Sequence, residues 1–276
     1  MSGRFTHIAA VLLSGLGTAG SLTAQQVWLG SGRGGEFSVE ILRPALKNIA
    51  GDQSFTSVAA FMTGRFPLGP RTTLVAELPF AHGSFKYSFF GGGATESGSA
   101  LGNPYIGVEG GRDGSAAFGE FGVRAPLASE NQAAQLVGLA ADLERTDAFA
   151  PNIVTVSAFA NYRVVAPSGF TFRIRGGPLG WIATKDNVLK DNAELWFAYA
   201  VQAGYQSRAF TFIGGVGGRA IITEDVDRRF TDQIVLSATY RVGGLRPGLS
   251  LRLPIDNNRD QIVGSTIGVS LGVELR

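Results

Sequence analysis

The stretch Thr266-Ile267-Gly268-Val269-Ser270-Leu271-Gly272-Val273-Glu274-Leu275 alternates from end to end. Ile267, Val269, Leu271, Val273 and Leu275 fall on one face of an extended chain, with Thr266, Gly268, Ser270, Gly272 and Glu274 on the other. Successive side chains of a β-strand point to opposite faces, so this period of two reads as a strand with one apolar and one polar side. The same pattern sets Ile234, Leu236, Ala238 and Tyr240 against Gln233, Ser237, Thr239 and Arg241. It also sets Leu195, Phe197, Tyr199, Val201, Ala203 and Tyr205 against a face carrying Glu194, Gln202 and Gln206.

Working outward from these segments, alternation predicts twelve strands, near residues 36–46, 54–66, 71–81, 101–111, 115–127, 152–165, 169–182, 192–206, 209–223, 229–243, 247–255 and 263–275. Compact turns such as Pro67-Leu68-Gly69-Pro70, Pro167-Ser168-Gly169 and Ser207-Arg208 alternate with longer or more polar connections around 82–100, 128–151, 183–191, 224–228 and 256–262. An even strand count with short turns at one rim and longer loops at the other predicts an all-β fold, a single antiparallel transmembrane β-barrel. A soluble sandwich or lipocalin-like barrel is the structural alternative, and it would bury one of the alternating faces inside the protein.

Composition narrows the classes further. Of 276 residues 45% are hydrophobic and 17% charged, below the roughly 25% charge of soluble domains and far from a disordered chain. Glycine contributes 39 residues, about twice the usual share, with no collagen register. Lys and Arg total 24 against 22 Asp and Glu, and no basic stripe marks a nucleic-acid partner. Residues 1–24 read as a cleavable secretory signal, with Arg4 before an apolar run from Ile8 to Leu16 and small residues at Leu22-Thr23-Ala24. Residues 25–276 then form the barrel domain, without the apolar run of about 18 residues that a membrane-spanning helix needs. Within it, 131–145 predicts a short surface helix with Leu136, Leu139, Ala140 and Leu143 on one face, read first as a merely structural excursion and otherwise as a cover for the barrel mouth or an element docked on its rim. The glycine-rich segment from Phe89 to Ser99 reads as a flexible loop.

Signals for catalysis are weak. The chain has no Cys, His7 lies in the presumed signal, and His82 is the one other histidine, so neither a multi-histidine metal centre nor a Ser/His/Asp site is expected. Gly214-Gly215-Val216-Gly217-Gly218 does not match a phosphate-binding motif, and no cofactor is expected. Alternation instead turns Glu77, Glu120, Arg124, Arg173, Arg175, Glu194, Arg219, Arg252 and Glu274 away from the lipid. These are the candidate lumen-lining residues, serving as an ion-pair network or as a selectivity lining. Arg173 and Arg175, two apart on one strand, share a face. Trp181, Trp196, Tyr199, Tyr205 and Tyr240 are expected in the aromatic girdles at the membrane interfaces, and Phe85, Phe89 and Phe90 in a packed loop cluster or a path for a hydrophobic solute.

The stretch Leu101-Gly102-Asn103-Pro104-Tyr105-Ile106-Gly107-Val108 and the Ala-rich excursion from Ala133 through Phe149 resemble the bacterial outer-membrane barrel proteins described as transporters associated with phenol-degradation pathways. The resemblance implies an outer-membrane location and passage of small organic, often hydrophobic, molecules, and it transfers no substrate-contact residue. The expected function is a passive outer-membrane channel or transporter for a small organic solute. Outer-membrane lipids and the outer-membrane assembly machinery are the expected partners. A non-conducting exported β-barrel with a binding or structural role is the alternative.

Overall fold

The structure is a computed structural model whose described residues are 35–49, 51–89, 92–111, 115–189, 192–223, 230–256 and 262–275. The reading of residues 1–24 as a signal lies outside them. Fourteen strands appear in chain order: β1 (Gly35–Leu46), β2 (Asp52–Gln53), β3 (Val58–Gly69), β4 (Thr72–Phe89), β5 (Gly92–Leu101), β6 (Tyr105–Gly110), β7 (Ala117–Arg124), β8 (Ile153–Val165), β9 (Phe170–Ala183), β10 (Ala193–Gln206), β11 (Phe210–Ile221), β12 (Phe230–Tyr240), β13 (Leu245–Pro254) and β14 (Val263–Leu275). Between β7 and β8 lie the helix α1 (Gln132–Ala141) and a 3-10 turn, Leu143–Phe149.

Each barrel strand pairs antiparallel with its neighbours, β1 pairs with β14, and the lower half of β4 pairs with β6. The ring of twelve strands is thereby closed, with β2 and β5 as additions to β4. Closure removes the unpaired sheet edges that a hydrocarbon environment does not tolerate. Ile41, Ile106, Val201, Leu249, Ile267 and Val269 are exposed on the outer face, as a lipid-facing surface requires. No helix among the described residues is long and apolar enough to cross a membrane.

Aromatic residues gather on the outer face near the short-turn rim. Tyr205 is the register partner of both Phe170 and Phe212, and Phe210 of Tyr240, and all are exposed. In outer-membrane barrels this rim faces the periplasm. Trp181 and Trp196 do not join such a girdle. Alternation along β9 and β10 turns both inward, where they pack together at 5.3 Å with Arg219 over their rings. Tyr199 lies outside, bonded to Asp232 on the same face.

Two connections differ from expectation. Residues 82–89 and 92–101 continue as strands β4 and β5, an extended hairpin rather than a loose loop. Opposite Leu78-Pro79, the three residues Gly102-Asn103-Pro104 interrupt what would otherwise be one strand from β5 into β6. The helical excursion neither caps the mouth nor lies on the rim, but folds into the barrel. Asn131 caps α1 by accepting from the Ala134 amide at 3.0 Å, and Asp142 caps the following turn by accepting from the Glu144 amide at 3.1 Å.

Candidate functional site

The inward excursion is held from three sides. A Cβ on Gly83 of β4 would lie 2.1 Å from the Ala133 carbonyl oxygen, so glycine is what lets the start of α1 lie directly on the strand. A Cβ on Gly138 would meet the Phe149 ring at 2.3 Å, and that ring packs edge-on against Phe61 of β3 at 5.8 Å. Phe85, buried with Ala133 and Val137, belongs to this packing. The far end is fastened by Asn103. Its Nδ2 donates to the carbonyls of Asp147 (2.8 Å) and Ala150 (2.7 Å), and its Oδ1 accepts from the Ala128 amide at 2.7 Å.

Charged groups complete the attachment. Arg145 donates to Asp142 at 2.8 Å, to Glu77 of β4 at 3.1 Å and to Glu40 of β1, while its guanidinium lies 3.6 Å from the centre of the Phe61 ring. Arg124 of β7 bridges Glu77 at 2.7 Å and Asp147 at 2.9 Å. Arg252 of β13 reaches Glu40 at 2.7 Å and Asp142 at 3.6 Å. Gln233 of β12 donates to Asp142 at 2.9 Å, and Arg219 of β11 donates to the Leu143 carbonyl and to Thr146. Buried ions of this kind tolerate desolvation because each faces several partners, and removing one partner strands the others. Burial alone would raise the Asp142 carboxyl, but Arg145 and Arg252 overcome it and hold the group down to about 2. Burial and the Asp142 charge push Glu144 up to about 7.

A cavity of about 120 Å3 remains beside this plug. Asp142, Glu144 and Arg145 line it from the plug, and Glu109, Glu120 and Arg175 from the wall. Arg175 donates to both oxygens of Glu120, at 3.1 and 2.8 Å, and lies 3.5 Å from the centre of the Phe159 ring. Nearer the short turns, Arg65 forms a two-pronged pair with Glu109, and Arg246 pairs with Glu36.

The nine residues singled out in the sequence all belong to the inward rows but not to one cluster. Glu77, Arg124 and Arg252 meet at the plug; Glu120 and Arg175 pair on the cavity wall; Arg219 grips the plug from the opposite wall. Arg173 diverges from Arg175 and donates to Asn161. Glu194 sits near the long-loop end of β10 as the register partner of Trp181, and Glu274 lies near the other rim with Arg241 and Arg246. Sequence reasoning missed Glu40, Arg65 and Glu109, which alternation would have placed inward. It also missed Asp142, Arg145 and Asp147, whose strand-free segment carried no sign of entering the lumen. Among the described residues no group of three or more His, Cys, Asp and Glu is arranged to hold a metal.

No family model matches the chain, and no curated protein matches it in sequence. Solved structures match in fold. A COG4313 outer membrane channel from Pseudomonas putida F1 superposes with a TM-score of 0.61 at 11% identity, covering 91% of this chain and 99% of its own. The translocator domain of autotransporter NalP from Neisseria meningitidis gives 0.57 at 10%, covering 88% and 89%. The NanC porin gives 0.53 at 9%, covering 87% and 100%. The closed ring, its apolar exterior and these likenesses give one conclusion: the chain folds as a transmembrane β-barrel of the bacterial outer-membrane kind.

Proposed function

We propose that the protein is a passive outer-membrane channel for a small organic solute, with segment 125–152 as its constriction. The observation that carries this reading is the cavity of about 120 Å3 between plug and wall, lined by charged groups from both. The plug is attached by hydrogen bonds, ion pairs and packing, which can exchange for water and re-form. Its helix packs against β1, β3, β4 and β5, while the cavity lies beside the turn that follows the helix, walled by residues of β1, β3, β4, β6 to β10 and β13, so a solute path would pass the plug at that turn. Movement would be diffusion down a gradient, with the charged rows setting which solutes enter. The resemblance in residues 101–108 and 133–149 supports small, often hydrophobic organic molecules as the cargo class. In this reading residues 1–24 direct export, and the barrel-assembly machinery inserts residues 25–276.

Liposome swelling tests it. Vesicles holding the folded protein should swell in arabinose faster than vesicles holding heat-denatured protein. Inserted, folded protein that gives no swelling would overturn the channel reading. The second reading, a non-conducting barrel, draws on the three carboxylates that clamp Arg145. It predicts no swelling with the intact chain and swelling only once the plug segment is replaced by a short Gly-Ser linker.

A further inference from the structure

On the outside of the barrel, the apolar faces of β1 and β4 end along one row. Outward positions on β1 run Phe37, Val39, Ile41 and then Arg43; on β4 they run Leu74, Ala76, Leu78, Phe80 and then His82. The fully buried Leu42 and Ala81 point the other way, which sets Arg43 and His82 outward. Ile41, Ala60 and Phe80 are register partners in turn, so Arg43 and His82 stand two residues beyond them, with Val58 of β3 between. The short turns lie at the opposite end of these strands, so the row marks the edge of the hydrocarbon on the outer-leaflet side. Elsewhere on that side the outer face stays apolar to the strand ends, through exposed Ile182, Ile222, Phe230 and Ile255.

Arg43 is held in place at this edge. Its Nε donates to the Phe55 carbonyl at 3.3 Å, and its guanidinium lies 5.1 Å from the centre of the Phe55 ring. Phe55, on the connection from β1 to β3, is 81% exposed. Among the described residues no carboxylate pairs with Arg43, and its two Nη groups meet no acceptor. The acids of β2 and β5 are placed elsewhere: Asp52 stands opposite Lys86 of β4, and Glu96 accepts from the Tyr87 hydroxyl. His82 shares a hydrogen bond with Ser99 Oγ through Nδ1 at 2.9 Å.

A planar guanidinium with both Nη groups open matches a phosphate through two parallel hydrogen bonds. The ring beside it places an apolar body at headgroup depth, where aromatic side chains are favoured. An amphiphile with a phosphate at that depth and acyl chains beneath it meets the charge and the apolar wall together. We propose that Arg43 and Phe55 form a binding site, on the outside of the barrel, for the phosphate of an outer-leaflet glycolipid. Its acyl chains lie against Ile41, Ile267 and Phe80, below the row of Arg43. The site faces lipid rather than the lumen, so it stands apart from the channel reading.

Diphosphoryl lipid A is the probe, read by native mass spectrometry of the detergent-solubilised full chain. The wild type should retain this lipid about tenfold more tightly than the same lipid stripped of its phosphates, the loss of a hydrogen bond between charged groups. Arg43→Gln should weaken lipid A binding by about the same factor and remove the distinction between the two lipids. Phe55→Ala, which keeps the charge and removes the ring that holds it, should weaken binding by a smaller factor. Equal affinity of the wild type for the two lipids would overturn the proposal, and that comparison stands even where Arg43→Gln fails to fold. Unchanged lipid A binding in a folded, heat-modifiable Arg43→Gln barrel would overturn it as well. So would displacement of lipid A by millimolar inorganic phosphate, which would mark a site for free anions rather than for a lipid.

Discussion

Asn103 shows how much a single side chain holds in this barrel. Replacing it by alanine leaves the Ala128 amide and the Asp147 and Ala150 carbonyls without their partner, at a cost of about 3 kcal/mol. Asn103→Ala should therefore lower the urea midpoint of unfolding and speed hydrogen exchange in residues 125–152, while exchange in β9 to β12 stays slow. Uniform loss of protection would contradict a local anchor. Glu144 gives a pH-dependent counterpart, with Asp142, Arg175 and Arg252 as its charged neighbours. Its carboxyl in the docked plug lies at about 7, above the ordinary 4.5, so the docked form binds the proton more tightly than the released one. Docking is therefore strongest below pH 4.5 as far as this group is concerned, and weakens as pH rises through about 7. Hydrogen exchange of plug amides, corrected for intrinsic rates, should accelerate relative to the barrel between about pH 5 and 8, and Glu144→Gln should remove that difference. The stretch around Asn103 was legible in sequence as a likeness to other barrels. Its bonds to residues 25 to 47 positions away were not, because nothing local records them.

At the scale of elements, the strands were legible because alternation is written into each one: β14 runs over the same 263–275 that its pattern defines, and β8 to β11 fall within two residues of expectation. The α1 segment was legible as helical but not as a plug. Its periodic face predicts a buried side, and both a rim and a lumen supply one. The deciding features are Gly83 and Gly138, which act through the atoms that approach them. Gly83→Val would drive the strand against the Ala133 carbonyl and displace α1 without disturbing the ladder of β4 with β3. That variant should remain a folded, heat-modifiable barrel on gels while proteases cut segment 125–152. Continued protection of that segment would show that close approach at Gly83 is dispensable. The inward turn of Trp181 and Trp196 has a similar origin. A tryptophan near a strand end suits a membrane interface equally well, and only register and the position of Arg219 assign it to the lumen.

For the molecule as a whole, two surfaces divide the work: an apolar exterior that belongs in lipid and a charged interior that the plug completes. Val269, exposed near the middle of β14, tests the first. Val269→Lys should destabilise the inserted barrel by about 2–4 kcal/mol, read from the unfolding midpoint in lipid vesicles, since lysine at the bilayer midplane carries a cost of that size. An unchanged midpoint would mean that this face does not meet hydrocarbon. The interior is where function is decided, and Arg145 joins plug to wall there more directly than any other charged group of the segment, through Glu40 and Glu77. Single-channel conductance in planar bilayers, wild type beside Arg145→Ala, is the most direct measurement. Small, discrete steps in the wild type and several-fold larger or noisier steps in Arg145→Ala are the predicted result. Equal conductance in the two, or none in either although both are folded and inserted, would contradict a passage controlled by an inward-folded plug.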